Sequence, residues 1–204
     1  MKLFIATPSR TGTVQVATAT SIINLVKLLT SYEVETSWST ISYCGFVHMA
    51  RQRLAEQFLS SYYTDMLFVD DDIGFDAVAL LAMMKTSYDR HEVVGVVCPK
   101  RDDDGPPVVN ILRGADGNPV MENGLIECAY IGTGLLWIRS AALQVAQSHS
   151  GSTLFDVAYE NGKPIGEDAW FCRKYRNAGG RVWAQPGVAV THTGPKSWSL
   201  TWQP

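Results

Sequence analysis

The chain of 204 residues carries 17 basic and 20 acidic side chains, for a formal charge of -3, with 46% hydrophobic and 18% charged residues. A chain of this size buries roughly two-thirds of its unfolded surface, and the composition is that of one globular domain, residues 1–204, not of a disordered or fibrous chain. The slight acidity excludes an overall cationic field toward nucleic acid or an anionic membrane, so a phosphate ligand requires local help.

No stretch approaches the roughly 20 apolar residues that cross a bilayer. The opening MKLFIATPSRTG meets Pro8 too soon for the apolar core of a signal peptide, and the expectation is a soluble, cytoplasmic protein. Cys44, Cys98, Cys128 and Cys172 are far apart and form no C-x-x-C pair, which predicts buried free thiols and not a zinc site or redox dithiol.

In chain order, Lys2 to Thr7 reads as a buried strand closed by Pro8, and Gly12 permits a turn into the mostly apolar helix Thr13 to Leu29. Val34 to Ser42 is β-rich. Phe46 to about Ser61 repeats Phe46, Met49, Ala50, Arg53, Leu54 and Phe58 at helical spacing. The apolar run Met66 to Val69 stops at Asp70, Asp71 and Asp72, and the pattern predicts a helix over Phe75 to Tyr88 and a strand over Val93 to Cys98, ended by Pro99.

From Lys100 to Asn123 the pattern turns irregular, with Asp102, Asp103 and Asp104 in a charged loop and an Asp116-Gly117 turn typical of hairpins. Leu125 to Ile131 and Leu135 to Ile138 read as strands either side of Gly132-Thr133-Gly134, and Ser140 as the cap of a helix beginning at Ala141. Gly166 to Ala178 reads as a helix stopped by Gly179-Gly180. Arg181 to Ala184 and Val188 to Thr191 are short strands before a Trp-rich tail, Ser197 to Pro204. An alternating βα first half joined to a mixed second half predicts an α/β fold, with a mainly parallel sheet flanked by helices.

Ligands of open α/β sheets bind beyond the carboxyl ends of the strands, where Asp70 to Asp72 stand. Asp70 and Asp72, one residue apart, leave an extended backbone on the same side and suit a hard divalent cation. The competing reading is a solvated turn, or a cap for the helix that follows.

The run FVDDDIGFD resembles the Asp-x-Asp region of GT-A glycosyltransferases. The resemblance extends through ATPSRTG, HMARQRLAEQFL, VVGVVCPKR, IGTGLLWIR and GEDAWFCRKYRNAGGRVWAQPGVAVTHTG, in an order and spacing similar to small bacterial and viral members. It implies the Rossmann-like GT-A fold of nucleotide-diphospho-sugar transferases, a mainly parallel mixed sheet flanked by helices. The activity implied is transfer of a sugar from a nucleotide-sugar donor to a carbohydrate or other hydroxyl acceptor.

By that resemblance Asp70 and Asp72 hold a divalent metal against the donor diphosphate, and His192 completes the site. Imidazole points to Mn2+, with Mg2+ as the alternative. Asp71 takes the variable middle position beside the donor. Thr7, Pro8 and Ser9 end the first strand where the base and ribose are received; Arg10 and Arg51 are directed at phosphate or nucleotide; Thr133 lies near the donor sugar. Lys196, just beyond His192, is a candidate to neutralise the departing diphosphate, with a solvated tail lysine as the equal alternative.

Asp168 matches the aspartate that deprotonates the acceptor in inverting members, with Glu167 as the alternative base. For the same pair the helix macrodipole is a sufficient structural reason. Trp198 and Trp202 are placed to face sugars, whereas Trp137, Trp170 and Trp183 read as core. Two other functions remain open. A nucleotidyltransferase would carry a glycine-rich basic loop after the first strand, where ATPSRTGTVQ has one glycine and one arginine; a noncatalytic nucleotide- or carbohydrate-binding module would keep the sheet without turnover.

Overall fold

The structure, a computed structural model, describes residues 1–100, 106–194 and 197–200. The chain begins β1 (Leu3–Ser9), α1 (Val16–Ser31), β2 (Thr36–Ser42), α2 (Val47–Leu59), β3 (Asp65–Val69), β4 (Ile73–Phe75), α3 (Ala77–Ser87) and β5 (Val93–Val96). It continues through β6 (Val109–Ile111), β7 (Met121–Glu122), β8 (Leu125–Ile131), β9 (Leu135–Arg139) and α4 (Ser140–Ser150). The last elements are β10 (Ala158–Glu160), β11 (Lys163–Ile165), α5 (Glu167–Asn177), β12 (Val182–Gln185), β13 (Val190–Thr193) and β14 (Ser197–Leu200).

The main sheet has the order β2-β1-β3-β9-β5-β12-β8-β6, with β7 on β8. β1 is parallel to β2 and β3, and β5 to β12; β9 lies antiparallel between β3 and β5, so β2, β1, β3, β5 and β12 all point their carboxyl ends the same way. Both faces are covered, which is why these strands read as continuous apolar runs. Alternate side chains feed two cores. Phe4, Ala6, Met66 and Phe68 pack on one face with Leu54 and Phe58 of α2 and Phe171 of α5. Leu3, Ile5, Leu67 and Val69 pack on the other with Leu25 of α1 and Leu80 of α3. Burying each such side chain is worth about 1.5–3 kcal/mol.

Trp137 and Trp183 are core residues as expected, but Trp170 is half-buried on α5, with the cations of Lys174 and Arg173 5.4 and 5.9 Å from its ring. All four cysteines are free; Cys128 and Cys172 are buried, while Cys44 and Cys98 are partly exposed. Among the described residues no helix is long and apolar enough to cross a membrane. Asp102, Asp103 and Asp104 lie outside the described residues.

Two local readings need correction. The helix expected from Phe75 begins at Ala77, because Asp76 accepts hydrogen bonds from the amides of Val78 (2.9 Å) and Ala79 (3.1 Å) and Ile73–Phe75 forms β4 instead. Ser140 is the first residue of α4 and not its cap; Arg139 holds that position with no side-chain cap bond. The structure also adds the hairpins β7–β8 and β10–β11, which turn at Asn123-Gly124 and Asn161-Gly162. All four turn residues have positive φ, from 51° to 79°, as a two-residue turn matching strand twist requires.

The stop of α5 is as expected. Ala178 ends the helix, Gly179 has φ of 91°, and the amides of Gly179 and Gly180 donate to the carbonyls of Arg176 (2.9 Å) and Tyr175 (3.0 Å). A Cβ on Gly180 would lie 2.3 Å from the Tyr175 ring, whose hydroxyl is anchored on Glu92 at 2.7 Å. Gly180→Ala is therefore expected to destabilise the chain by about 1–3 kcal/mol, in the range of core overpacking. Thermal unfolding that matches wild type would reject this account of the turn.

Candidate functional site

The carboxyl ends of β3 and β5, the turn between β8 and β9 and the amino end of α5 converge on one cleft of about 550 Å3, lined among others by Arg51, Asp70, Cys98, Thr133, Asp168 and His192. A second recess of about 310 Å3 adjoins it, sharing Val47, Asp70 and His192, and adds Pro8, Ser9, Arg10, Asp71 and Asp72. The sequence-predicted residues on these strand ends are thus brought together, although widely separated in the chain. Thr7 is the exception: its hydroxyl is buried and accepts from the Trp38 indole at 3.0 Å. Lys196 and Trp202 lie outside the described residues, as does the side chain of Trp198.

The acidic loop is held by its backbone. The Asp70 amide donates to Gly134 O (2.9 Å), Asp71 O accepts from Gln15 N (2.8 Å), and Asp72 O accepts from Thr193 N (2.9 Å). Pairing of β4 with β13, His192 opposite Ile73, then places His192 Nε2 3.3 Å from Asp72 Oδ1. The other ring nitrogen, Nδ1, lies 2.6 Å from Pro99 O. A carbonyl only accepts, so Nδ1 carries the proton, and in the neutral ring the Nε2 lone pair is turned toward Asp72.

That is the polarity of a metal-ligating histidine oriented by a backbone carbonyl. Two carboxylates and one imidazole facing joined recesses fit a divalent ion that takes oxygen and nitrogen donors. Among the described residues no group of three His, Cys, Asp or Glu side chains converges as a ready-made cage, so a ligand's own oxygens would have to complete the coordination.

Arg51, 4% exposed, sits between acidic groups from two other elements. It donates to Asp70 Oδ1 at 2.6 Å through one terminal nitrogen and to Glu167 through the other. Burial opposes its charge most strongly; Asp70 and then Glu167 outweigh it, so the guanidinium is held more firmly charged than in water. Glu167 is thereby committed to Arg51, whereas Asp168 lines the cleft and accepts from the Ala169 amide at 2.7 Å. Burial, and after it the charge of Glu167, holds the Asp168 carboxyl above its ordinary value. Gly166 leaves room for that carboxylate, since a Cβ there would stand 2.9 Å from Asp168 Oδ1.

Thr133, 2% exposed, lines the cleft with its hydroxyl unpartnered among the described residues. Cys98, Pro99 and Lys100 also line it, and the sequence reading passed over them. Their position just beyond a parallel strand was the available signal.

No protein-family model and no curated protein matches the sequence. Solved structures do. With A197 from STIV the chain shares 18% identity over 98% of its length and 90% of that chain, at a TM-score of 0.63. With S. aureus TarS 1-349 in complex with UDP-GlcNAc it shares 14% identity over 90% of its length and 56% of that chain, at a TM-score of 0.53. At these identities the likeness shows the fold: the chain has the GT-A-type α/β fold expected from the sequence.

The raised pKa of Asp168 has a consequence for stability. An acid whose folded pKa exceeds its unfolded one adds stability below the unfolded value, and loses it as pH rises through the folded value. The ionised Asp168 therefore opposes folding at neutral pH, and Asp168→Asn is expected to raise Tm there by a few degrees. The gain should vanish below pH ~3, where the wild-type carboxyl is protonated in both states. An unchanged or lowered Tm at neutral pH would contradict this electrostatic picture.

Proposed function

We propose that the chain is a metal-dependent glycosyltransferase, moving a sugar from a nucleoside-diphosphate sugar to an acceptor hydroxyl. The observation that carries the reading is the convergence of Asp70, Thr133, Asp168 and His192 on one cleft at the strand carboxyl ends. Asp70, Asp72 and His192 would hold the cation, Mn2+ by preference and Mg2+ as the alternative. When bound, it supplies positive charge against the donor diphosphate. Pro8, Ser9 and Arg10 line the adjoining recess, where the nucleotide end of the donor fits beside Asp71. The buried Thr133 hydroxyl is a ready partner for the transferred sugar.

In the inverting form of the reaction Asp168 takes the proton of the acceptor hydroxyl. The acceptor oxygen forms a bond to the anomeric carbon while the bond from that carbon to the diphosphate breaks, and its electron pair leaves with the nucleoside diphosphate. A carboxyl whose pKa lies above the ordinary range is better matched to accepting a proton near neutral pH. Glu167, tied to Arg51, orients the first turn of α5.

A nucleoside diphosphate is expected to raise Tm only with a divalent cation, since the cation offsets repulsion between the diphosphate and the Asp70 and Asp72 carboxylates. A nucleotide-sugar panel with Mn2+, Mg2+ or chelator, read by thermal shift and nucleoside diphosphate release, tests donor and metal together. Equal stabilisation in chelator sinks the shared-cation reading; pyrophosphate release from a nucleoside triphosphate and a sugar phosphate would favour nucleotidyl transfer instead.

Asp168→Asn should keep donor binding and lower transfer by about a hundred- to ten-thousand-fold. Glu167→Gln should cost less. Transfer by Asp168→Asn within severalfold of wild type would reject the base.

A further inference from the structure

Adjoining the main cleft at Asp168 lies a third space, an open recess of about 570 Å3 between α5, the β6–β8 pair and the β10–β11 hairpin. Asp168 and Val108 line both this recess and the main cleft, so the proposed base stands on the partition between them. We propose that this recess binds the acceptor and that the acceptor is a neutral saccharide; the inference rests on the glycosyltransferase reading.

The chemistry of the lining carries the class. Its two arginines are already neutralised. Arg173 makes a two-pronged pair with Glu160 at 2.9 and 3.0 Å, and Arg176 donates to Glu127 at 3.2 Å and to Cys128 O at 3.1 Å. With Asp168 also facing the recess, no surplus cation remains among the described lining residues to receive a phosphate or carboxylate on the acceptor. The groups left to recognise a ligand are the Asn110 and Asn177 carboxamides and the Tyr130 ring and hydroxyl.

Asn110 and Tyr130 are direct partners across β6 and β8, so their side chains leave the same face of that pair. Carboxamides that both donate and accept, next to an aromatic ring, suit vicinal hydroxyls and the apolar face of a pyranose. A hydroxyl of a sugar seated here meets Asp168 at the rim that the recess shares with the donor cleft. Its proton passes to the Asp168 carboxylate as its oxygen bonds to the anomeric carbon and the nucleoside diphosphate departs with the electron pair of the broken bond.

The test uses methyl glycosides of neutral hexoses and N-acetylhexosamines, short neutral oligosaccharides, and the 6-phosphates of the same sugars. Saturation-transfer NMR reads their contact with the protein without turnover; steady-state kinetics reads transfer and the KM of each substrate. Wild type is expected to contact the neutral sugars more than their phosphates. Losing the hydrogen bonds of two carboxamides, Asn110→Ala with Asn177→Ala should raise the acceptor KM about tenfold while the donor KM stays within about twofold. Tyr130→Ala should weaken saccharide contact similarly, and Tyr130→Phe less.

If no nucleotide sugar is consumed but neutral saccharides bind and lose contact in the double variant, the transferase reading fails and the saccharide site stands. If transfer proceeds with an acceptor KM the double variant does not move, or if phosphorylated sugars bind better than neutral ones, the recess is not a neutral acceptor site. Absence of saccharide contact in wild type overturns it as well.

Discussion

One buried guanidinium ties the site together. Arg51 rises from α2 to bond Asp70 beyond β3 and Glu167 at the start of α5, so the neighbouring α2 and β3 are joined to an element about a hundred residues later on a single planar cation. A buried charge of this kind is costly unless its partners are well placed. Removing both carboxylates would leave an uncompensated cation in the protein interior, whereas removing one would still leave a single pair. The arrangement holds one oxygen of Asp70 in a fixed direction and fixes the first turn of α5, from which Asp168 projects into the cleft.

The sheet does the remaining positioning. Strands covered on both faces cannot slip by one residue without turning a core row toward the wrong layer, so their carboxyl ends are set in register. The small sheet β14-β13-β4 then solves a separate problem, since His192 arrives from the last part of the chain and must meet an aspartate near residue 70. Three residues of β4 are enough: the β13 ladder runs Val190 against Phe75, Thr191 against Gly74 and His192 against Ile73.

What was legible in the sequence follows from which signals are local. β1, β3, β5 and α5 announce themselves by apolar runs, helical spacing and the Gly179-Gly180 stop, and the acidic triplet is legible because the apolar run of β3 ends there. β4 was missed because three residues are too short a run to announce a strand and the last of them, Phe75, reads as the start of the helix, though Asp76 before Ala-Val was a cap that could have marked the boundary. The two Asn-Gly hairpins were the stronger oversight, since that dipeptide demands positive φ at both positions and therefore a tight reversal. The sequence leaves Arg51 open between a nucleotide contact and an ordinary exposed charge; nothing in the spacing of MARQR reveals its bonds to Asp70 and Glu167. Trp170 misled for a similar reason, because helical spacing alone does not tell a core aromatic from one shielded by neighbouring cations.

The depth of the Arg51 bridge also separates the site from its ionic surroundings. At ordinary ionic strength charges in solution are screened within about 8–10 Å, but only where solvent and ions reach them. The Arg51 side chain is 5% exposed and that of Glu167 12%, whereas the Arg173 and Glu160 side chains at the neighbouring recess are 40% and 53% exposed. Salt therefore loosens the outer wall formed by the β10–β11 hairpin well before it touches the anchor between α2 and α5. The inner geometry is set once, by folding, and the outer wall answers to the medium.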